Sequence, residues 1–184
     1  MILTKRALLS AIELGHIVCP SIDLVDENSI RFALGEDMWT CAAGPGEIVD
    51  LSEPREFERV HGTWDGYFTI EPDRVYIGTT AGEHGTRLLG DGIAYVPEMR
   101  ARSTTGRHGL TVALCAGMGD VGYCGRWAVE IVNNNHVPVR IRAGAHIGQF
   151  VYHTASTSCP DDAYIGDDRY QTTAGIRFLP KVLV

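Results

Sequence analysis

"RWAVEIVNNNHVPVRIRAGAHIGQFVYH", residues 126–153, decides the fold. Three short runs in it, "RWAVEIV", "VPVRIRAG" and "HIGQFVYH", are rich in β-branched and aromatic residues. Asparagines, proline and glycine, which break strands and make turns, lie between them. In the first run, period-two alternation sets Trp127, Val129 and Ile131 on one face and Ala128, Glu130 and Val132 on the other. Working outward, the same texture recurs in "SIRFALG", "GYFTI", "RVYIGTT", "GIAYVP" and "LTVALC". Short strands repeating about every ten residues predict a mainly β domain, a barrel or jelly roll, and not alternating βαβ units. Only the start differs. In "TKRALLSAIEL", residues 4–14, Thr4 stands as N-cap, Leu8, Ala11 and Ile12 recur at helical spacing, and Gly15 follows as a stop, predicting one short N-terminal helix.

The 184 residues, 45% hydrophobic and 21% charged, read as one ordinary globular domain over 1–184. No apolar run approaches the roughly 20 residues that span a bilayer, and the N-terminus lacks a signal peptide's apolar segment, which points to the cytoplasm. Cys19, Cys41, Cys115, Cys124 and Cys159 are odd in number and form no C-x-x-C pair, so free thiols in a reducing compartment are expected. A net charge of −7 argues against a general nucleic-acid coat, but leaves room for a local basic cluster that holds a small anion.

Such a cluster lies between Met99 and Gly119, where no Asp or Glu occurs. Arg100, Arg102 and Arg107 alternate there with Ser103, Thr104 and Thr105, and Gly106 and Gly109 allow close backbone approach. Guanidinium forks, hydroxyls and backbone amides are the groups that bind phosphate oxygens. The competing reading is a turn that is merely basic, and the spacing is not that of a P-loop. Glu130 shares its strand face with two apolar neighbours. Such surroundings push a carboxylate's pKa upward, into the range useful for shuttling protons; the alternative is a structural partner for Arg126, Arg140 or Arg142. Asp120, in the glycine-rich "CAGMGDVGYCG", reads locally as an Asx-turn. The seven histidines form none of the close spacings that zinc chemistry needs, and there is no G-x-S-x-G elbow. "TASTSCPDDAYIGDDRYQTTAG", 154–175, reads as a solvated loop carrying Asp161, Asp162, Asp167 and Asp168, or as an active-site lid that grips with Tyr164, Arg169 and Tyr170.

"RSTTGRHGLTV", "AGMGDVGYCG", "WAVEIVN", "PVRIRAGAHIGQ" and the late "DDRYQTTAG", in that order, resemble the motifs of the dCTP deaminase branch of the trimeric dUTPase superfamily. The opening "MILTKRALLSAIELGHI" and "NSIRFALG" extend the likeness over most of the chain. The resemblance implies a distorted β-barrel or jelly roll of the dUTPase-like type, assembled as a homotrimer with active sites at subunit interfaces. It puts Arg102, Ser103 and Thr104 on the nucleotide phosphates, with Arg107 reaching into the active site, often from a neighbouring subunit. Glu130 matches the catalytic glutamate, Ser103 helps position its water, and the backbone of Leu114, Cys115 and Ala116 lies along the pyrimidine edge. Asp120 faces the deoxyribose, and Tyr164 and Arg169 fold over the phosphates with the lid. Magnesium is implied as a companion of the triphosphate, held by its oxygens, with no zinc.

The implied reaction is hydrolytic deamination of dCTP to dUTP and ammonia. Five positions depart from the resembling pattern. Arg31 stands where an acid is usual, Thr104 where serine is usual, Thr105-Gly106 replaces a small apolar pair, and Thr173 replaces a phosphate-binding glutamine. A looser phosphate site would suit dCMP or a modified deoxycytidine nucleotide. The alternatives are a bifunctional enzyme carrying dCTP on to dUMP, since Glu130 and Asp120 are both present, or a non-catalytic nucleotide sensor. A pure dUTPase lacks support, because its glycine- and arginine-rich tail motif is absent.

Overall fold

The structure, a computed structural model, describes residues 1–41, 46–50, 57–114, 117–156 and 164. Helix α1 spans Lys5–Glu13 and buries Leu8 and Ala11. Thr4 sits at its N-cap with extended backbone but makes no side-chain cap bond. Gly15, with φ of 84°, ends it in the left-handed region that costs glycine little. The expected helix is therefore present, with Leu8 and Ala11 buried and Ile12 half-buried against the core.

Strand β1 (Ile17–Val18) leads through a 3₁₀ turn, Ile22–Leu24, into the long β2 (Ile30–Thr40). There follow β3 (Glu58–Arg59), β4 (Tyr67–Ile70), β5 (Val75–Thr80) and β6 (His84–Thr86). β7 (Tyr95–Ala101) passes into a five-residue helix, α2 (Ser103–Arg107), and then into β8 (Leu110–Val112). β9 (Cys124–Gly125), β10 (Ala128–Asn133), β11 (Val139–Arg142) and β12 (His146–Thr154) follow. The segment 103–107 thus corrects the reading of a basic turn: it is helical.

The main sheet runs β7-β12-β2-β5-β10-β8, with β3 on β2; β1-β6-β9 and β4-β11 form two smaller sheets. Its two ends meet. Beyond β8 the chain returns to β7, where the Met99 N–H donates to the Gly117 carbonyl at 2.6 Å and the Gly119 N–H to the Pro97 carbonyl at 2.8 Å. This closes the mainly β architecture into a distorted barrel, a solution that removes exposed strand edges.

The core centres on Phe150. Its ring lies 4.8 Å from Trp127, 4.9 Å from His84 and 5.2 Å from Phe32, centroid to centroid. Trp127 is also fixed by hydrogen bonds, its backbone N–H donating to Thr80 Oγ1 at 3.0 Å and its indole N–H to the His84 carbonyl at 2.9 Å. Trp127, just before β10, and Val129 and Ile131 within it are buried, and Ala128, Glu130 and Val132 are half-buried, the alternation expected of this run. Among the described residues no helix is long and apolar enough to cross a membrane.

Candidate functional site

"STTGR" has little intrinsic reason to be helical, since two threonines and a glycine disfavour the conformation. Contacts distant in sequence hold it. On one side the buried Thr105 hydroxyl donates to the Ile147 carbonyl at 2.8 Å, and the Arg102 N–H donates to the same oxygen at 3.2 Å. On the other, the run Asn133–Asn135 clamps the turn into β8. Asn134 donates from its backbone N–H (2.8 Å) and side-chain amide (3.1 Å) to the Gly109 carbonyl, and from that amide to Thr111 Oγ1 (2.8 Å). The Asn135 amide donates to the His108 carbonyl at 2.9 Å. In the sequence these asparagines read only as turn formers; their placement directly after the strand bearing Glu130 is the signal of a further role.

So held, α2 presents Ser103, Thr104 and Arg107 to solvent. The hydroxyls of Ser103 and Thr104 make no hydrogen bond, and the guanidinium groups of Arg102 and Arg107 no ion pair, among the described residues. The first N–H groups of a helix also lack intrahelical acceptors. Arg100 is different. It pairs with Glu98, which also binds His153 Nε2 at 2.9 Å, so a carboxylate one residue outside the acid-free stretch removes Arg100 from the free cations.

Glu130 has no cationic partner among the described residues. Arg140 instead pairs with Asp65 at 3.7 Å and lies 4.3 Å over the Tyr67 ring, and Arg142 lies 5.9 Å over the same ring. This corrects the reading of Glu130 as a structural counter-ion. Burial raises its pKa above the ordinary carboxylate value, opposed in part by its own backbone N–H. Its carbonyl accepts the Ala113 N–H at 2.9 Å. The buried Ala113 has φ of 59°, strained for a residue with a Cβ, at the point where the chain leaves β8 for the exposed Leu114. Cys115 and Ala116 lie outside the described residues. Glu130 therefore sits beside the segment expected to meet a pyrimidine, on the strand that ends in the clamp on α2.

Asp120 does not make the Asx-turn. Its turn is closed by its backbone carbonyl, which accepts the Tyr123 N–H at 3.2 Å, and the exposed carboxylate makes no hydrogen bond among the described residues. Gly119 before it has no room for a side chain, because a Cβ there would fall 2.1 Å from Trp127 Cη2. Tyr164 lies against this turn, its N–H donating to the Val121 carbonyl at 2.7 Å and its ring 5.6 Å from Tyr123, edge to face. Arg169, Thr173 and most of the expected lid lie outside the described residues. Within the chain, no hydrogen bond or ion pair joins Glu130 to Ser103 or Arg107 among the described residues. Nor, among the described residues, do three His, Cys, Asp or Glu side chains gather as metal ligands.

A model of the family described as dCTP deaminase-like matches residues 2–155. A protein of Clostridium botulinum (strain Alaska E43 / Type E3) named "dCTP deaminase, dUMP-forming" is 30% identical over 178 residues, 96% of this chain and 94% of that one. A protein of the same name from Leptospira biflexa serovar Patoc (strain Patoc 1 / Ames) is likewise 30% identical, with the same coverage. Among solved structures, the 2'-deoxycytidine 5'-triphosphate deaminase of Agrobacterium tumefaciens superposes with a TM-score of 0.59 at 17% identity. That likeness covers 84% of this chain and 48% of the other, so the chain spans about half of that neighbour's length, and it supports the dUTPase-like β fold. With its barrel, its clamped basic helix and its half-buried glutamate on an adjacent strand, the chain belongs to the dCTP deaminase-like family.

Proposed function

We propose that the protein is a dCTP deaminase in which Glu130 activates water without zinc. The observation that carries this reading is Glu130 itself, a half-buried carboxylate of raised proton affinity with no basic partner among the described residues, beside Ala113 and Leu114. Such a group takes a proton from water near neutral pH and returns it within the same site. The hydroxide, positioned by Ser103, adds to C4 of cytosine. Protons pass to N3 and the amino group, the C4–N bond breaks, and ammonia and dUTP form. Arg107 and backbone amides along Leu114, Cys115 and Ala116 stabilise the developing charge.

Arg102, Ser103 and Thr104 hold the phosphates, and Asp120 faces the deoxyribose. Tyr164 and Arg169 close over the phosphate chain, with Thr173 nearby. Magnesium enters with the triphosphate and is held by its oxygens; this chain contributes cations and amides, not a carboxylate cage. In a homotrimer, Arg107 of one copy completes the site of the next, which accounts for the absence of an Arg107–Glu130 contact within the chain. The free thiols of Cys19 and Cys124 suit a reducing compartment, the cytoplasm.

A second step, from dUTP to dUMP, is favoured by the names of the relatives at 30% identity and by the Asp120 carboxylate, which is unengaged among the described residues. A water activated by Asp120 attacks the α-phosphorus, and pyrophosphate leaves. Incubation of the purified protein with dCTP, dCMP or dUTP and magnesium, followed by measurement of ammonia, pyrophosphate and nucleotides, tests both steps. Ammonia with dUMP and pyrophosphate from dCTP is expected. Ammonia with dUTP alone removes the second step, and no ammonia from dCTP removes the deaminase reading.

A further inference from the structure

We propose that Arg31 and His146 form, beside Arg102, a cationic subsite for the outer phosphates of the nucleotide. This rests on the reading of Arg102 as a phosphate contact. Strand register builds the subsite. β12 pairs with β2 so that Gln149 faces Arg31 and His146 faces Ala33, and it pairs with β7 so that Gln149 also faces Arg100. Directly opposed residues project from one side of a sheet, so Arg31, Gln149 and Arg100 share a face. Arg102 follows two residues after Arg100, with its N–H on the Ile147 carbonyl, next to His146.

Arg31 is held in place before any ligand arrives. Its guanidinium donates to the Asp23 carbonyl, and its Nε lies 3.3 Å from Asp26 without a hydrogen bond. Desolvation and the charges of Arg31 and Arg102 hold the pKa of His146 below its usual value, with Asp26 acting in the opposite direction. One fixed guanidinium, that of Arg31, and that of Arg102, unpaired among the described residues, thus both act on the His146 imidazole, with the Asp26 carboxylate as the opposing charge, an arrangement that a polyanion relieves. Direction along the sheet identifies the phosphates concerned. In chain order α2 joins β7 to β8, the two ends of the main sheet, so that β8 and then β10, which carries Glu130, follow on one side, and β7, β12 and β2 on the other. Whichever copy supplies Glu130, a nucleotide whose phosphates lie on α2 meets His146 and Arg31 beyond Arg102 toward β12, while Arg100, on the same face, is held by Glu98.

The test uses the full chain carrying Glu130→Gln, so that dCTP is not consumed, with calorimetric titration of dCTP, dCMP and inorganic tripolyphosphate. Arg31→Ala is expected to weaken dCTP and tripolyphosphate about tenfold and to leave dCMP nearly unchanged, whereas Arg31→Lys keeps most of the affinity. Because Arg31→Ala also releases the Asp23 carbonyl, His146→Ala serves as the second variant; His146 is exposed, and its removal is expected to show the same selectivity with an unchanged melting temperature. In NMR spectra, the His146 ring should move toward its protonated form when tripolyphosphate is added at pH 6.5. Equal losses for dCMP and dCTP, or none for either, overturn the subsite. Losses from Arg102→Ala alone do so while sparing the deaminase reading, and failure of the unsubstituted chain to bind dCTP overturns that reading as well.

Discussion

Glu130 joins two demands that conflict. Its proton affinity is raised by burial, so the folded chain holds that proton more tightly than the unfolded chain. The associated stability is therefore complete below the unfolded glutamate pKa of about 4.5 and is lost as pH rises through the higher folded value. At neutral pH the ionised carboxylate is a burden on the fold, as is common for groups retained for chemistry. Glu130→Gln is accordingly expected to melt at the same temperature or higher at pH 7.5, which calorimetry checks; a marked drop would mean that the carboxylate holds structure. For Arg102, unpaired among the described residues, replacement by alanine should weaken triphosphate binding about tenfold while sparing the nucleoside. Equal losses for the two ligands would remove its phosphate assignment. Glu130's environment was legible in the sequence, because alternation alone put it between Ala128 and Val132. The pairing of Arg100 was not, because its partner, Glu98, stands just outside the acid-free window.

At the scale of elements, the strands and α1 were readable because their patterns are local, period two in β10 and helical spacing in Leu8, Ala11 and Ile12. Helix α2 was not. Its conformation is imposed by Ile147, about forty residues away, and by the asparagine run that follows β10. Barrel closure through Gly117 and Met99 is likewise a product of packing that no short window displays. His84 shows the same limit: nothing nearby in sequence announces a fully buried histidine packed on Phe150 with both ring nitrogens unpartnered among the described residues. Desolvation lowers its pKa to about 4. Between pH 6.5 and 4 the unfolded chain takes up a proton that the folded chain refuses, so stability is full above about pH 6.5 and falls as pH drops. The expected loss by pH 4 is about 3 kcal/mol, and His84→Leu should flatten that part of a denaturant-unfolding series against pH. An unchanged slope in the variant would place the acid sensitivity elsewhere.

At the scale of the whole molecule, the barrel's strands were readable in the sequence, and the resemblance supplied the expected residues of the site. A single chain does not display how they meet, because Glu130 and Arg107 are not joined within it. If the site is shared between copies, Glu130→Gln and Arg107→Ala proteins, each inactive alone, should regain activity when unfolded together and reassembled. Random assembly of equal amounts restores about a quarter of the sites in a closed ring. Mixtures that stay inactive would mean that each chain builds its own site. The most direct measurement is single-turnover release of ammonia from dCTP by the unsubstituted protein and by Glu130→Gln, with bound dCTP measured in parallel. Ammonia from the first and none from the second, at similar dCTP occupancy, is the predicted result; ammonia from Glu130→Gln at a comparable rate would contradict it.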